Sequence, residues 1–225
     1  MAKAQTRGRR GLNRDDLLDE AFALAAAEGE AGFSLRKLGA RLGVDPMTLL
    51  HHFGSREGLL RAVADHSLNT VTLPKPSADW KADLHAVAAA YRDLARRHPK
   101  LFALHFRYHA TGPRDHVASE VVHRALRRSG LADAVAAAQG LAFFAFVLGF
   151  ALAESEGLLQ PLSKAEESEL KALDAAEFEA TRAFIPAFKA LDACAAFEVA
   201  ISAYIDGLAL RCPAAAGTGS RAAKK

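Results

Sequence analysis

The sequence predicts an all-α protein, and three observations carry that reading. Apolar residues recur at three- and four-residue steps nearly throughout, and no segment sustains the two-residue alternation of a half-buried strand. Ser, Asp, Asn and Pro also stand where the periodic runs begin, with Gly where several end. The first run carries Leu17, Leu18, Ala21, Leu24 and Ala25 behind an acid-rich first turn, Asn13, Asp15 and Asp16. Acids there favour the exposed amides of a helix start, and the run closes near Glu28-Gly29. A second helix starts after Ser34, carries Leu35, Leu38 and Leu42, and stops at Gly43. Asp45 and Pro46 open a third that reaches about His52, since Pro forfeits only a donor that is unpaired at that position. Ser55 caps a longer helix through Leu59, Leu60 and Val63 towards Val71.

Two prolines, Pro74 and Pro76, make Leu73–Asp79 a stiff linker. Beyond it the spacing predicts helices over about Asp79–Arg97, Pro99–His109, Pro113–Ser129 and Leu131–Ser155. A loop at Gly157–Ser163, a polar helical stretch and a last helix over about Ala193–Leu210 follow. The expected domains are a basic arm (1–12), a helical unit with its connecting helix (13–73), a larger helical unit (74–212) and a tail (213–225).

The chain of 225 residues has a net charge of +3, 51% hydrophobic and 24% charged residues, a globular composition rather than a disordered one. Its charge is concentrated at the ends. Residues 1–14 carry Lys3, Arg7, Arg9, Arg10 and Arg14 without an acid, which suits a polyanionic partner. The basic C-terminal segment reads as a solubilising tail. Cys194 and Cys212 are too few for a disulfide scaffold or a Cys-rich zinc site, so reduced thiols in a cytoplasmic protein are expected. Met1–Gly11 lacks the apolar core of a secretory signal.

The informative stretch is Phe33–Phe53, where two short helices meet at a Gly turn in helix-turn-helix geometry. Leu38, Leu42, Val44, Leu49 and Phe53 face a core, and Gly39 with Ala40 keeps the crossing side small. That leaves Pro46, Met47, Thr48, Leu50, His51 and His52 outward. A recognition helix of this kind sets short side chains and methyl groups on base edges in the major groove of double-stranded DNA. Arg36 and Arg56 flank the surface, where they are expected to hold phosphates.

The run Leu35-Arg-Lys-Leu38, Leu42-Gly-Val44, Thr48-Leu-Leu-His-His-Phe53 and Ser55-Arg-Glu-Gly-Leu-Leu60 resembles the TetR family of transcriptional regulators, over about Leu17–Val63. The resemblance implies an N-terminal three-helix helix-turn-helix domain joined to a larger helical ligand-binding and dimerisation domain. It also implies a homodimeric repressor that binds a palindromic operator and releases it on binding a small effector. The family usually has Tyr where this chain has Leu50 and commonly Lys where it has Arg56. Leu50 offers no hydrogen bond to a phosphate, so that contact is either lost or taken over by His51. Further on, His98-Pro99, Gly112-Pro113 and Gly149 to Glu154 are similar to landmarks of the tetracycline-repressor type of regulatory domain.

Ala134–Ala153 has Gln139 as its one strongly polar residue, long enough to span a bilayer. Its many alanines and the lack of Trp or Tyr at either end favour instead a helix packed on its own domain on one side and on a partner on the other. With Phe197, Val199, Ile201, Tyr204, Ile205 and Leu208 of the last helix, it is expected to form a four-helix dimer interface.

Phe102, Phe106, Phe143, Phe146 and Phe150, with His105, His109 and Gln139 as polar groups, are candidates to line an effector pocket. Phenylalanines at helical spacing are more often core. His105 and His109 stand at i, i+4 without the intervening Glu of a zinc-protease motif or a firm third ligand, so no metal, cofactor or catalysis is expected. The competing reading is a helical metal-dependent enzyme or small-molecule carrier.

Overall fold

The computed structural model describes residues 13–108 and 112–212. Its α-helices are α1 (Arg14–Gly32), α2 (Leu35–Leu42), α3 (Pro46–Phe53), α4 (Arg56–Ser67), α5 (Trp80–Arg97), α6 (Pro99–Arg107), α7 (Pro113–Arg128), α8 (Asp133–Ser155), α9 (Lys164–Ala172), α10 (Glu179–Ala183), α11 (Ile185–Lys189) and α12 (Ala193–Ala209). No strand occurs among the described residues. The expected basic arm and the expected tail from residue 213 lie outside them.

Helix starts follow the capping logic of the sequence. Asn13 and Asp16 form a reciprocal capping box on α1, and Ser34, Asp45 and Ser55 accept from amides in the first turns of α2, α3 and α4. α1 is kinked at Gly29, where the sequence places its end. α4 stops earlier than expected, and Leu68–Thr70 continues as a tighter 3₁₀ turn. Hydroxyls explain this: Ser67 Oγ donates to Ala64 O and Thr70 Oγ1 to Ser67 O, so side chains take up carbonyls of the last turn. The polar stretch expected as one helix is broken into α9, α10 and α11.

The chain forms two compact units: the described residues up to Leu73 with Ala90–Ser119, and Pro74–Ala89 with the described residues from Glu120 onward. The first is larger than the 13–73 expected from the linker. Its core explains the difference, because Leu101 and Leu104 of α6 and Tyr108 at its C-cap are buried in one cluster with Leu17, Leu24, Phe33, Leu38, Leu49, Leu60 and Val63. Apolar contact joins α6 to this unit. Polar ties reinforce it. Asp65 Oδ1 accepts from the amides of Arg114 and Asp115 at 2.9 and 3.0 Å, which caps α7 from α4. Ser67 Oγ lies 2.7 Å from His105 Nε2. Since the hydroxyl proton goes to Ala64 O, Oγ accepts from Nε2–H and fixes the neutral tautomer.

In the second unit the linker is pinned. Buried Asp83 accepts from the Ser77 amide at 3.0 Å and from Arg128. Lys81 pairs with Asp206 at 3.0 Å and His85 with Glu198 at 2.8 Å, which hold the start of α5 to α12. Phe143, Val147, Phe197, Ile201, Ile205 and Leu208 form the buried face between α8 and α12.

Burial pushes the His105 imidazole down from 6.5 to about 4, with Asp115 opposing the shift. The folded state keeps the ring neutral while the unfolded chain takes up a proton below its ordinary value. Stability from this site is therefore full above about pH 6.5 and is lost as the pH falls from there through about 4. Urea midpoints at pH 7 and pH 5 check this: the midpoint drops at pH 5, and His105→Phe, with no proton to bind, loses that share of the acid sensitivity.

Candidate nucleic-acid interface

Two short helices are held at a fixed crossing by a backbone contact. A Cβ on Gly39 of α2 would lie 2.7 Å from the carbonyl oxygen of Val44, closer than real contacts allow, so only glycine fits where the turn folds back. The Val44 amide donates to Gly39 O at 3.0 Å. Gly43 between them takes the left-handed conformation, φ 67° and ψ 32°, which closes α2 without side-chain strain. Ala40, expected to share the crossing side, is exposed instead.

This turn delivers Asp45 to the start of α3, where its carboxylate accepts from the Met47 amide at 2.7 Å. Leu49 is fully buried and fixes the rotation of α3. The opposite side presents Met47, 67% exposed, with exposed Thr48, His51 and His52. Pro46 and Leu50, expected outward with them, are half-buried. The Pro46 ring packs towards Gly39, its Cδ 3.5 Å from that glycine's Cβ position. The exposed face is thus four residues wide, short and neutral to weakly basic.

Cations around α3 differ in how far they are already paired. Arg36 on α2 is exposed and has no carboxylate partner among the described residues. Lys37 pairs with Glu28 at 2.5 Å, and Arg41 reaches Glu20 and Glu28 at 3.3 and 3.5 Å. The Lys37 hydrogen bond holds the Glu28 carboxyl below its ordinary value. Arg56, expected to hold a phosphate, is turned to the end of α1 instead. Its guanidinium lies 3.6 Å from the Glu30 carboxylate and donates to Glu30 O and Phe33 O at 3.2 and 3.5 Å. Those carbonyls end α1, where the kink at Gly29 leaves acceptors that an arginine fork satisfies.

The effector candidates are divided between the two units. Phe102 and His105 of α6 are buried in the first unit, Phe106 is 53% exposed, and His109 lies outside the described residues. Phe102 stacks on His105 with centroids 5.7 Å apart, and His105 hydrogen-bonds Ser67, so both are core groups. Gln139, Phe143, Phe146 and Phe150 belong to α8 in the second unit. Phe143 is fully buried, whereas Phe146 stacks on Tyr204 at 5.2 Å and Phe150 meets Phe197 edge-on at 5.5 Å.

Tyr204 is the residue that spacing alone assigned to a dimer face and that here organises the polar group. Its hydroxyl donates towards Gln139 O and Oε1 at 3.2 and 3.3 Å, and burial raises its pKa. Beside it, Gln139, Ala203, Gly207, Leu208 and Arg211 line an open depression of about 310 Å³. No group of three His, Cys, Asp or Glu side chains placed to hold a metal occurs among the described residues.

Residues 17–63 match the family described as bacterial regulatory proteins, tetR family, and residues 73–212 match the tetracyclin repressor-like C-terminal domain. The chain is 30% identical over 208 residues to the class A tetracycline repressor protein of Escherichia coli transposon 1721, with 89% of this chain and 92% of that one aligned. An HTH-type transcriptional regulator of Saccharopolyspora erythraea is 31% identical over 152 residues, which cover 67% of this chain and 64% of the regulator, somewhat under two thirds of its length. Among solved structures, the Streptomyces coelicolor TetR family protein ActR in complex with (S)-DNPA superposes with a TM-score of 0.79 at 27% identity, over 90% of this chain and 99% of that one. The chain belongs to the TetR family: it is a transcriptional regulator with a helix-turn-helix DNA-binding domain, and its relatives are regulators rather than enzymes.

Because Arg56 already serves the end of α1, Arg56→Ala is expected to lower the unfolding free energy by about 0.5–1.5 kcal/mol. It should leave the salt dependence of DNA binding near that of the parent. Urea denaturation and binding titrations over a salt series check the two halves separately.

Proposed function

We propose that this regulator is a cytoplasmic repressor that binds a palindromic operator as a homodimer and releases it when a small apolar or aromatic effector binds. One observation carries the DNA half: the capped helix α3, locked by buried Leu49, turns Met47, Thr48, His51 and His52 to solvent together. In this reading Met47 and Thr48 meet base edges, the two histidines and Arg36 meet phosphates, and Leu50 leaves unmade the contact that the family's usual Tyr offers.

The dimer half rests on α8 and α12. The most apolar stretch of α8 has a mean hydropathy of 2.1, yet a third of it is buried within the chain. Leu141 is 68% exposed and Val199 of α12 is 71% exposed, with alanines 134, 138, 142, 145 and 203 exposed around them. α8 is long and apolar enough to cross a bilayer by length and composition. In a DNA-binding regulator, a second copy is the partner that covers such a face. A buried area of roughly 2,000 Å² would make the association permanent.

Effector release follows from geometry. Two recognition helices must lie about 34 Å apart to enter successive major grooves, so a small change in spacing abolishes binding. The end of α4 is tied to α6 and α7 through Ser67, His105 and Asp65, which makes α4 the lever that moves α3. The similarity to ActR, solved in complex with (S)-DNPA, supports a small-molecule effector, and the aromatic surroundings of Gln139, Phe146, Phe150 and Tyr204 make these the candidate contacts.

Selection of bound fragments from genomic DNA tests the reading: an inverted repeat with half-sites one helical turn apart supports it, and recovery of no duplex at low salt contradicts it. Thr48→Ala is expected to relax selectivity at one base pair in each half-site by roughly 1–3 kcal/mol, read from binding to single-substitution duplexes. Leu141→Glu is expected to convert the sedimenting species from dimer to monomer and abolish operator binding. A parent chain that sediments as a monomer, or partitions into detergent as a membrane protein, contradicts the dimer.

A further inference from the structure

We propose that Arg14 is a phosphate-binding residue of the DNA interface and takes, at the C-terminal end of the recognition helix, the role that the sequence assigned to Arg56. The proposal rests on the DNA-binding reading above and adds a residue to it.

Three observations converge. First, the guanidinium carbon of Arg14 lies 4.8 Å from the centroid of the Phe53 ring. Arg14 is the first residue of α1 and Phe53 the last of α3, so the stack carries a cation from another helix to the end of the recognition helix, beside His52. Phe53 is half-buried against the first unit's core, which gives the stack a fixed platform. Second, the contact over the ring uses none of the guanidinium's N–H donors, and none of them is hydrogen-bonded to a described residue, so the donor edge is open. That edge is the fork which binds a phosphate through two parallel hydrogen bonds.

Third, the other cations of α1 to α4 are mostly already paired with acids. Lys37 and Arg41 are bound to Glu20 and Glu28, Arg56 to Glu30, and Arg61 to Glu57 at 2.9 Å. Among the described arginines and lysines of these helices, Arg14 and Arg36 alone have no carboxylate within ion-pairing distance. Asp15 and Asp16 lie in the same turn as Arg14, but Asp16 is turned back to the Asn13 amide at 3.1 Å. An unpaired cation gains the full release of condensed counterions on meeting a phosphate, whereas a paired one must first give up its acid. Arg36 on α2 and Arg14 against α3 are therefore the two acid-free arginines from which the duplex backbone is held, and Arg14 alone of them rests on an aromatic ring.

The test uses the full chain and a duplex selected for binding, with affinity measured by fluorescence anisotropy over a salt series. Arg14→Gln is expected to reduce the slope of log affinity against log salt by about 0.9 per subunit. It should weaken selected and unrelated duplexes by the same factor and leave the melting temperature unchanged. Arg14→Lys is expected to keep the slope but bind several-fold more weakly, because lysine retains the charge without the stack or the fork. Phe53→Leu, with Arg14 intact, should fall with Arg14→Lys in affinity. A parental slope and affinity in Arg14→Gln overturns the proposal while the DNA-binding reading stands; a parent that binds no duplex overturns both.

Discussion

The close approach of the Gly39 backbone to the Val44 carbonyl is the constraint on which the DNA-binding geometry depends. A helix of only eight residues has too few internal hydrogen bonds to hold its own direction. Its orientation is imposed by the turn before it, by the buried Leu38 and Leu49, and by the capping carboxylate of Asp45. Fixing the rotation of α3 through Leu49 is what makes a neutral, four-residue face usable. With no Lys or Arg of its own to draw it to DNA, that face must be presented in one register or it reads nothing.

Affinity then has to come from elsewhere, and pairing decides from where. The acids Glu20, Glu28, Glu30 and Glu57 hold most of the surrounding cations in internal ion pairs, each worth little in water but enough to set where a side chain points. Glu30 is the clearest case. It receives Arg56 of α4 and also Arg107 of α6, the latter at 2.6 Å, so one carboxylate near the kink of α1 gathers cations from two other helices. The same first unit carries the buried His105–Ser67 pair and the Asp65 cap on α7, which hold the C-terminal end of α4, while Arg56 ties its start to Glu30. A rigid α4 is what a lever requires.

Much of this was legible in the sequence because it is local. Capping residues, the glycine at a left-handed position and the proline at a first helical turn act over three or four residues, and each was placed correctly at α1, α2 and α3. The family resemblance over Leu17–Val63 rests on the same short-range pattern. What sequence could not give is tertiary choice. Arg56 stands in the motif where a phosphate contact is usual, but its partner Glu30 is 26 residues earlier and becomes a neighbour only through the packing of α1 on α4. Pro46 and Leu50 fall on the outward side of a helical wheel yet are half-buried, since α2 and the rest of the core close over their edges. The pocket candidates are hard to sort for the same reason: at helical spacing a core phenylalanine and a ligand-facing one are indistinguishable, and Tyr204 joins Gln139 from 65 residues away.

In the proposed mode of binding, the outward face of α3 and the arginines flanking it meet a duplex. Amide and arginine side-chain shift mapping by NMR on the full chain, titrated with a duplex selected for binding, tests it most directly. The largest changes are expected at Met47, Thr48, His51 and His52, at Arg36, and at the Arg14 guanidinium, with Arg56 and Arg41 little affected. Changes confined to other helices, or to Arg56 while Thr48 and Arg14 stay still, would contradict it.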